Sequence, residues 1–239
     1  MKKPAHKNKS FSFKQFTIQA GNSGMPVSTD GVMLGAWVQC ADNSHILDIG
    51  TGTGLLALMC AQRFPESHIT ALDIEPIAID AARLNCSHSL WTERITILHR
   101  DVLSFEPKHR FSTIICNPPY FNTGQSAQRI QRAIARHTET LPHSHLLHRC
   151  YQLLSDDGKA NFVLPVTEGN QFIDMARAQG WHLSRLCRVQ PSTKKPVHRL
   201  LIELTKHACD THDTQLIIQT ETGYSADFIQ LTHEFYLKM

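Results

Sequence analysis

The 239-residue sequence lacks the features of a membrane or secreted protein. No window approaches the run of about 18 apolar residues that a membrane-spanning helix needs. The basic N-terminus, MKKPAHKNKSFSF, has no apolar segment behind it and is therefore not a secretory signal. The seven cysteines are an odd number and include no C-x-x-C pair, which argues against a disulfide framework and a zinc site. We expect a cytoplasmic protein whose thiols are mostly small core residues.

Charge of either sign is also scarce. The net charge is +3, and charged residues make up 19% of the chain. This balance permits an anionic partner without requiring one. The 15 histidines show no tight metal-ligand spacing, and His143, His145 and His148 are explained as one histidine-rich helix start. We expect no metal site and no membrane contact.

The organisation indicates a basic, disordered tail at residues 1–10 and one domain over residues 11–239. From Ser44 onward, apolar runs alternate with helical patterns. The predicted strands are 44–50, 68–74, 94–100, 111–116, 159–166, 181–189 and 199–206; the predicted helices are 54–64, 75–90, 143–154 and 169–180. This alternation predicts an α/β fold with a doubly wound, seven-stranded, mostly parallel sheet. Such sheets bind ligands at the carboxyl ends of their strands.

A glycine loop, LDIGTGTG (47–54), follows the first of these strands and opens a helix. Its glycines allow a tight turn and a close approach to a ligand, although a turn without a ligand needs them too. A dinucleotide fingerprint fails when counted from Gly50, where it ends on Leu55. It fits when counted from Gly52, where it ends on Ala57, so a nicotinamide cofactor stays open.

The acidic residue before the glycines favours another ligand. With Asp48, the loop has the pattern D-x-G-x-G-x-G through Gly50, Gly52 and Gly54, which resembles the first motif of methyltransferases that use S-adenosylmethionine (SAM). The resemblance implies that Asp48 and the loop hold the amino-acid end of SAM.

Two further strand ends carry candidate cofactor residues. Asp73, with Glu75 as the alternative, lies where a carboxylate accepts ribose hydroxyls of SAM or of NAD. Asp101 resembles the methyltransferase acid that binds the adenine amino group, beside a backbone N–H of Val102. A cap or turn role for Asp101 is the alternative.

The most informative segment is Asn117-Pro118-Pro119-Tyr120, directly after a predicted strand. An amino group conjugated to a π system is a poor nucleophile, and two fixed acceptors aimed at its N–H bonds would orient it for attack. The Asn117 side-chain oxygen and the Pro118 carbonyl can be those acceptors, because the diproline restricts the backbone. Tyr120 offers a flat face for a base, and we also count Asn117 among the cofactor contacts.

This quartet resembles the (D/N)PP(Y/F) motif of methyltransferases that act on amino groups: adenine N6, guanine N2 or glutamine N5. Basic residues are the candidate contacts of a nucleic acid. Arg129, Arg132 and Arg136 share one face if 125–139 is helical, and STKKPVHR (192–199) brings together Lys194, Lys195 and Arg199. A solvated surface explains each group equally well.

Five segments together resemble the bacterial tRNA1(Val) adenine-N6 methyltransferases. They are FSFKQFTIQ (11–19), VSTDGVMLGAWV (27–38), LDIGTGTGLLALMCAQR, NPPYFNTG and FIQLTHEFYLKM (228–239). The resemblance implies a Rossmann-like class I fold whose final strand is antiparallel. It also implies that SAM is the cofactor and that tRNA is the partner, which is methylated at the adenosine 3′ of the anticodon.

The same family resemblance places Lys14, Gln15, Thr29 and Asp30 near the SAM pocket or the path of the RNA. From the residues alone, Ser28, Thr29 or Asp30 is as well explained as a helix N-cap. Ser28 stands where the family pattern has glycine.

Three other functions stay open. One is methylation of guanine N2 in rRNA or glutamine N5 in a release factor. The second is a nicotinamide-linked oxidoreductase, and the third is an RNA-binding module without catalysis. We expect a monomer, although no residue pattern sets the oligomeric state.

Overall fold

The computed structural model describes residues 10–20, 27–41, 43–118 and 142–238. The predicted tail therefore lies outside the described residues, apart from Ser10, which begins a strand. The strands are β1 Ser10–Ser12, β2 Thr17–Gln19, β3 His45–Ile49, β4 His68–Asp73, β5 Ile95–His99, β6 Phe111–Cys116, β7 Leu154–Pro165, β8 His182–Ser192, β9 Arg199–Thr205, β10 His212–Thr220 and β11 Gly223–Tyr224. The helices are α1 Thr29–Trp37, α2 Leu55–Arg63, α3 Pro76–Ser87, α4 His143–Leu153, α5 Val166–Ala178 and α6 Ala226–Thr232.

The described residues form one large sheet and a small hairpin. The sheet has the order β11-β10-β8-β9-β7-β6-β3-β4-β5, and β1 pairs with β2. Strands β5, β4, β3, β6 and β7 are mutually parallel, and β9 is antiparallel to both β7 and β8. Helices joining parallel strands give the doubly wound arrangement predicted from the sequence.

All seven predicted strands are present, as β3 to β9, and the last of them is antiparallel as expected. The count of seven is nevertheless wrong, because in the described residues β10 and β11 extend the sheet to nine strands. Strand β10, HDTQLIIQT, buries only Leu216 fully, since it lies near the edge of the sheet. It therefore has no continuous apolar run by which sequence patterning would detect it.

The core lies on both faces of the sheet, and strand alternation divides it. Ile46 belongs to the cluster beneath α1 and α2, whereas Leu47 and Ile49 belong to the cluster beneath α4 and α5. Because side chains alternate along a strand, Asp48 points to the same face as Ile46. It thus faces the start of α2.

Two helices begin at serine caps. The Ser28 hydroxyl accepts a hydrogen bond from Gly31 N (3.1 Å), and the Ser225 hydroxyl accepts one from Phe228 N (3.0 Å). Ser28 has φ −101° and ψ 143°, an extended conformation open to any residue. Its departure from the glycine of the family pattern therefore causes no backbone strain, and the predicted cap role is confirmed.

Segments far apart in the chain meet at the β1–β2 hairpin. Lys14 N donates to Phe235 O (2.8 Å), and Lys14 Nζ donates to His233 O (2.5 Å). The rings of Phe13 and Tyr236 lie 5.9 Å apart between centroids. The turn of the hairpin thereby holds the segment after α6 in place.

Within the described ranges, no helix combines the length and apolarity needed to cross a membrane.

Candidate active site

Neighbouring strand ends bring the polar candidates to one edge of the sheet. Ile49 pairs with Leu72 on one side and with Cys116 on the other. The next residue of each strand therefore emerges at this edge; these residues are Gly50, Asp73 and Asn117. Asp73 in turn pairs with His99, two residues before Asp101. Because adjacent strands are about 4.8 Å apart, the four strand ends span roughly 15 Å.

The glycine loop is tied to the end of β4. Thr51 N donates to Leu72 O (2.9 Å), and Gly52 N donates to Asp73 Oδ2 (2.8 Å). Gly50, with φ +69°, adopts a conformation that other residues rarely adopt. A Cβ on Gly50 would find no atom of the described residues within 4 Å, so the backbone here borders space that these residues leave open.

Gly54 has a different role. With φ +83°, its Cβ position would lie 3.4 Å from both Ala82 Cα and Cys86 Sγ of α3. The third glycine therefore allows α2 to start close to α3, whereas Gly50 leaves room for a ligand.

Asp48 lies beneath the loop and is fully buried. Its Oδ2 accepts hydrogen bonds from Thr51 Oγ1 (2.6 Å) and Ala57 N (3.1 Å), and its Oδ1 has no partner in the described part of the chain. Burial raises the pKa of Asp48 to about 7, although these two hydrogen bonds favour the charged form. Through these two bonds, the Asp48 carboxylate stabilises the turn at Thr51 and the first turn of α2.

Asp73 is half-buried and bonded on both oxygens. Oδ2 accepts from Gly52 N, and Oδ1 accepts from Glu75 N (2.9 Å). A carboxylate has about four acceptor sites, so Asp73 can still accept hydrogen bonds from a ligand. Glu75, the alternative, is exposed at the start of α3.

Asp101 acts as a cap in this structure. Its Oδ1 accepts from Leu103 N (2.9 Å) at the start of the short 3-10 turn Val102–Ser104, and Val102 is buried. The cap role that the sequence left open is therefore present. It leaves the second carboxylate oxygen of Asp101 for a ligand.

Arg149, which sequence reasoning missed, holds this turn from α4. Its Nε donates to Val102 O (3.0 Å), and its terminal nitrogen Nη2 donates to Phe105 O and to Glu106 Oε1 (2.8 Å). Leu146 and Leu153 are buried three residues before and four residues after it. An arginine at helical spacing within an apolar face was the signal in the sequence that could have identified it.

Asn117 and Pro118 follow β6 beside the loop. Pro118 is buried, and Asn117 Oδ1 is buried without a hydrogen-bond partner among the described residues. A buried acceptor without a partner is costly, which is a reason to expect a ligand donor there. Tyr120, Arg129, Arg132 and Arg136 lie outside the described residues.

The remaining basic candidates have different surroundings. Lys14 is bonded to backbone oxygens of the segment after α6, as described above. Lys194 forms a 2.9 Å ion pair with Glu221, both side chains being largely exposed. Arg199 forms a 2.7 Å ion pair with Asp30 in which both side chains are mostly buried. The structure thus favours a structural role for Lys14 and Arg199, while Lys194 and Lys195 are exposed on the β8–β9 loop.

No group of three or more His, Cys, Asp or Glu side chains is arranged to hold a metal ion in the ranges that the structure describes.

Comparisons with known proteins agree with this geometry. Residues 32–148 match the family described as "Methyltransferase small domain". The chain is 67% identical over 239 residues to a Vibrio campbellii protein named tRNA1(Val) (adenine(37)-N6)-methyltransferase, covering 100% of both chains. It is 56% identical over 232 residues to a Vibrio cholerae protein of the same name, covering 97% of each.

Among solved structures, a predicted O-methyltransferase from Agrobacterium tumefaciens superposes with a TM-score of 0.69 at 15% identity, covering 86% of this chain and 96% of that one. At this identity the likeness concerns the fold alone.

Asp48→Asn should make the stability of the protein less sensitive to pH. With a folded pKa of about 7 against an ordinary 3.8, the carboxyl costs nothing below about pH 4. It destabilises the fold increasingly as the pH rises from there to about 7, and the loss levels off above that pH. One pKa unit corresponds to about 1.4 kcal/mol. Between about pH 5 and pH 8, the unfolding free energy of the wild type should therefore fall by roughly 3 kcal/mol, whereas that of the variant should not show this fall. Urea unfolding across this range measures the difference.

The matched control for this measurement is Asp80→Asn, an exposed carboxylate on α3. Its stability should follow the wild-type pH profile. If the Asp48→Asn profile also ran parallel to the wild type, Asp48 would not titrate in this range.

Proposed function

Because the chain belongs to the tRNA1(Val) (adenine(37)-N6)-methyltransferase family, we propose that it transfers a methyl group from SAM to N6 of adenosine 37 in tRNA1(Val). The family, fold class and cofactor predicted from the sequence are confirmed. The structural observation that carries the proposal is the position of Asn117. Its unpartnered buried oxygen lies at the strand end next to an open glycine loop.

The residues at this edge fit SAM. Open space at Gly50 admits the amino-acid end, and Gly52 and Gly54 shape the turn that frames it. Because SAM is cationic, its binding would favour the charged form of Asp48 beneath the loop. Asp73 is the candidate for the ribose hydroxyls.

The turn after β5 is the candidate adenine site. Asp101 would accept from the adenine amino group through its second carboxylate oxygen, and Val102 would offer its backbone N–H to the ring. Asn117 would form the boundary between the cofactor and the substrate. These roles follow the family pattern and agree with the position of each strand end.

SAM supplies an electrophilic methyl group on a positively charged sulfur. The Asn117 side-chain oxygen and the Pro118 carbonyl oxygen would each accept a hydrogen bond from one N–H group of the adenine amino group. This would turn the nitrogen lone pair out of conjugation and towards the methyl group. Tyr120 stacks on the base. Transfer would form the N–CH3 bond while the S–CH3 bond breaks and its electron pair returns to sulfur, which leaves S-adenosylhomocysteine. The excess proton would then leave the nitrogen for water, so a general base is not required.

The target adenine must leave the base stack of the anticodon loop to reach Asn117. Phosphate contacts would hold the RNA meanwhile, and Lys194 and Lys195 are the best placed of the described candidates. Their charges are exposed, and the Lys194–Glu221 pair is of the kind worth only about 0–1 kcal/mol. Arg129, Arg132 and Arg136 remain candidates from the sequence, and we expect the enzyme to act as a monomer.

The deciding experiment incubates the protein with labelled SAM and total tRNA that lacks the modification, followed by nucleoside analysis. N6-methyladenosine in tRNA1(Val) is the expected product. Labelled N2-methylguanosine, or label that survives nuclease in a protein, would overturn the proposal in favour of the other amino-group substrates. Binding of NADH rather than SAM in calorimetry would overturn the reaction class.

Asn117→Ala should lower kcat by about 10²–10³-fold, as loss of one fixed transition-state hydrogen bond does in other enzymes. SAM affinity, measured by calorimetry, should stay close to wild type. Asn117→Asp is the matched variant, because it keeps an acceptor oxygen and stays within the (D/N)PP(Y/F) pattern; it should retain measurable turnover. Normal turnover in Asn117→Ala would rule out the acceptor role.

Arg149→Ala should weaken SAM binding on the order of tenfold, because the turn that carries Asp101 and Val102 loses charged hydrogen bonds to Val102 O and Phe105 O. At saturating SAM, kcat should remain near wild type, since Arg149 positions the turn and touches no reacting atom. Arg177→Ala, on the exposed side of α5, is the control and should change neither quantity. An equal fall in kcat and in stability, with unchanged SAM affinity, would contradict this positioning role.

A further inference from the structure

A second cleft lies on the same edge of the sheet as the candidate active site. Strands β8 and β10 are parallel and in register at their ends, where Gln219 pairs with Ser192. They run in the direction of β7, because β9 is antiparallel to both β7 and β8. The loops after β8 and β10 therefore emerge at the carboxyl edge. Between them is a cleft of about 270 Å³, lined by Pro191, His198, Gln219, Tyr224, Phe228 and Tyr236.

The cleft has a rigid aromatic wall. Tyr224 is 47% exposed, and its ring stacks on Phe228 with centroids 5.2 Å apart and planes 28° from parallel. Phe228 is buried and lies next to the ring of Tyr236, 6.5 Å between centroids. A large exposed ring backed by one buried ring and one half-buried ring is a flat surface whose position is already fixed. Such surfaces are used to stack unpaired bases.

Polar groups stand beside this wall. His198 Nδ1 lies 3.1 Å from Val189 O and must be the donor, because a carbonyl oxygen only accepts. Burial lowers the pKa of His198, so the ring is neutral near pH 7 and Nε2 is an acceptor. Gln219 pairs with Tyr224 across the β10–β11 hairpin and carries an exposed amide. An acceptor and an amide next to a stacking surface match the edge of a nucleobase.

The β8–β9 loop, which follows the cleft residue Pro191, carries two exposed lysines. Lys194 on the β8–β9 loop reaches Glu221 on the β10–β11 turn at 2.9 Å, with about three quarters of each side chain exposed. A pair this exposed is weak, so an RNA phosphate can compete with Glu221 for Lys194. Lys195 lies beside it on the same loop.

We propose that this cleft binds one unstacked base of the RNA substrate, a neighbour of the base that is methylated. The proposal rests on the proposed function, since it requires a tRNA substrate. Three strand spacings separate the ends of β6 and β8, which is about 14 Å, so one base cannot occupy both sites. The volume is just below the range of drug-sized pockets, about 300–1,000 Å³, and suits a single base. The enzyme would thus hold its substrate by two extruded bases, one at Asn117 and one at Tyr224.

The test measures steady-state methylation of unmodified tRNA by Tyr224→Ala, Tyr224→Phe and Tyr224→Leu. Loss of one stacked base corresponds to about 1–3 kcal/mol, so Tyr224→Ala should raise KM for tRNA by roughly 5–100-fold with kcat and SAM affinity near wild type. Tyr224→Phe should behave like wild type. Tyr224→Leu, which keeps an apolar contact with Phe228 but has no flat ring, should resemble Tyr224→Ala. Leu90→Ala, an exposed apolar residue in the turn that follows α3, is the control.

A second measurement identifies the base. The tRNA is assembled with an abasic nucleotide at each anticodon-loop position in turn. One position other than the target should raise KM with wild-type enzyme and have no further effect with Tyr224→Ala, which is the signature of a direct pair in a double-mutant cycle.

The outcomes separate this proposal from the proposed function. If the wild type methylates tRNA but Tyr224→Ala matches Leu90→Ala, or no abasic position couples to Tyr224, the cleft is not a base site. If the wild type methylates no RNA, the proposed function fails and the cleft proposal fails with it.

Discussion

The register of four parallel strands is the constraint on which the site depends. Ile49, Leu72 and Cys116 are held in one row by backbone hydrogen bonds, so the residues after them emerge side by side. Hydrogen bonds from Thr51 N and Gly52 N then fasten the glycine loop to the end of β4. The second of these bonds uses the side chain of Asp73, which is also the candidate for the ribose hydroxyls of SAM. A slip of one position in any of these strands would turn its polar residue to the other face of the sheet, and the cofactor residues would no longer point to a common space.

At the candidate site, two buried oxygens that have no partner among the described residues raise the free energy of the unliganded fold. Asp48 Oδ1 lies under the loop, and Asn117 Oδ1 lies at the mouth of the sheet. Each is an acceptor removed from water, which is unfavourable until a donor or a cation arrives. A cationic methyl donor and an amino-group substrate would relieve these costs at adjacent strand ends. The unliganded fold is thus less stable than a fully satisfied core would be, and this difference can favour binding.

Sequence patterning predicted the fold well where apolar strand patterns are followed directly by the residues of a functional motif. Strands β3 to β9 are apolar runs, and the glycine loop and Asn117-Pro118 follow two of them directly. Patterning failed for β10, which is a polar strand near the edge of the sheet, and for Arg149, whose role depends on a turn more than 40 residues away in the chain. It also could not tell that Arg199 would be paired with Asp30 rather than left for RNA, because an ion pair across 169 residues has no local signal.

The contact between the β1–β2 hairpin and the segment after α6 affects the order of folding. Lys14 makes its two backbone contacts with residues about 220 positions later in the chain. During synthesis, the hairpin is made about 220 residues before its partner. Contacts of such high sequence separation form slowly because a long loop must close first. Phe11 and Phe13 would therefore lack their contacts with this segment until it has been made, and apolar surface that is exposed in this way during folding is prone to aggregation.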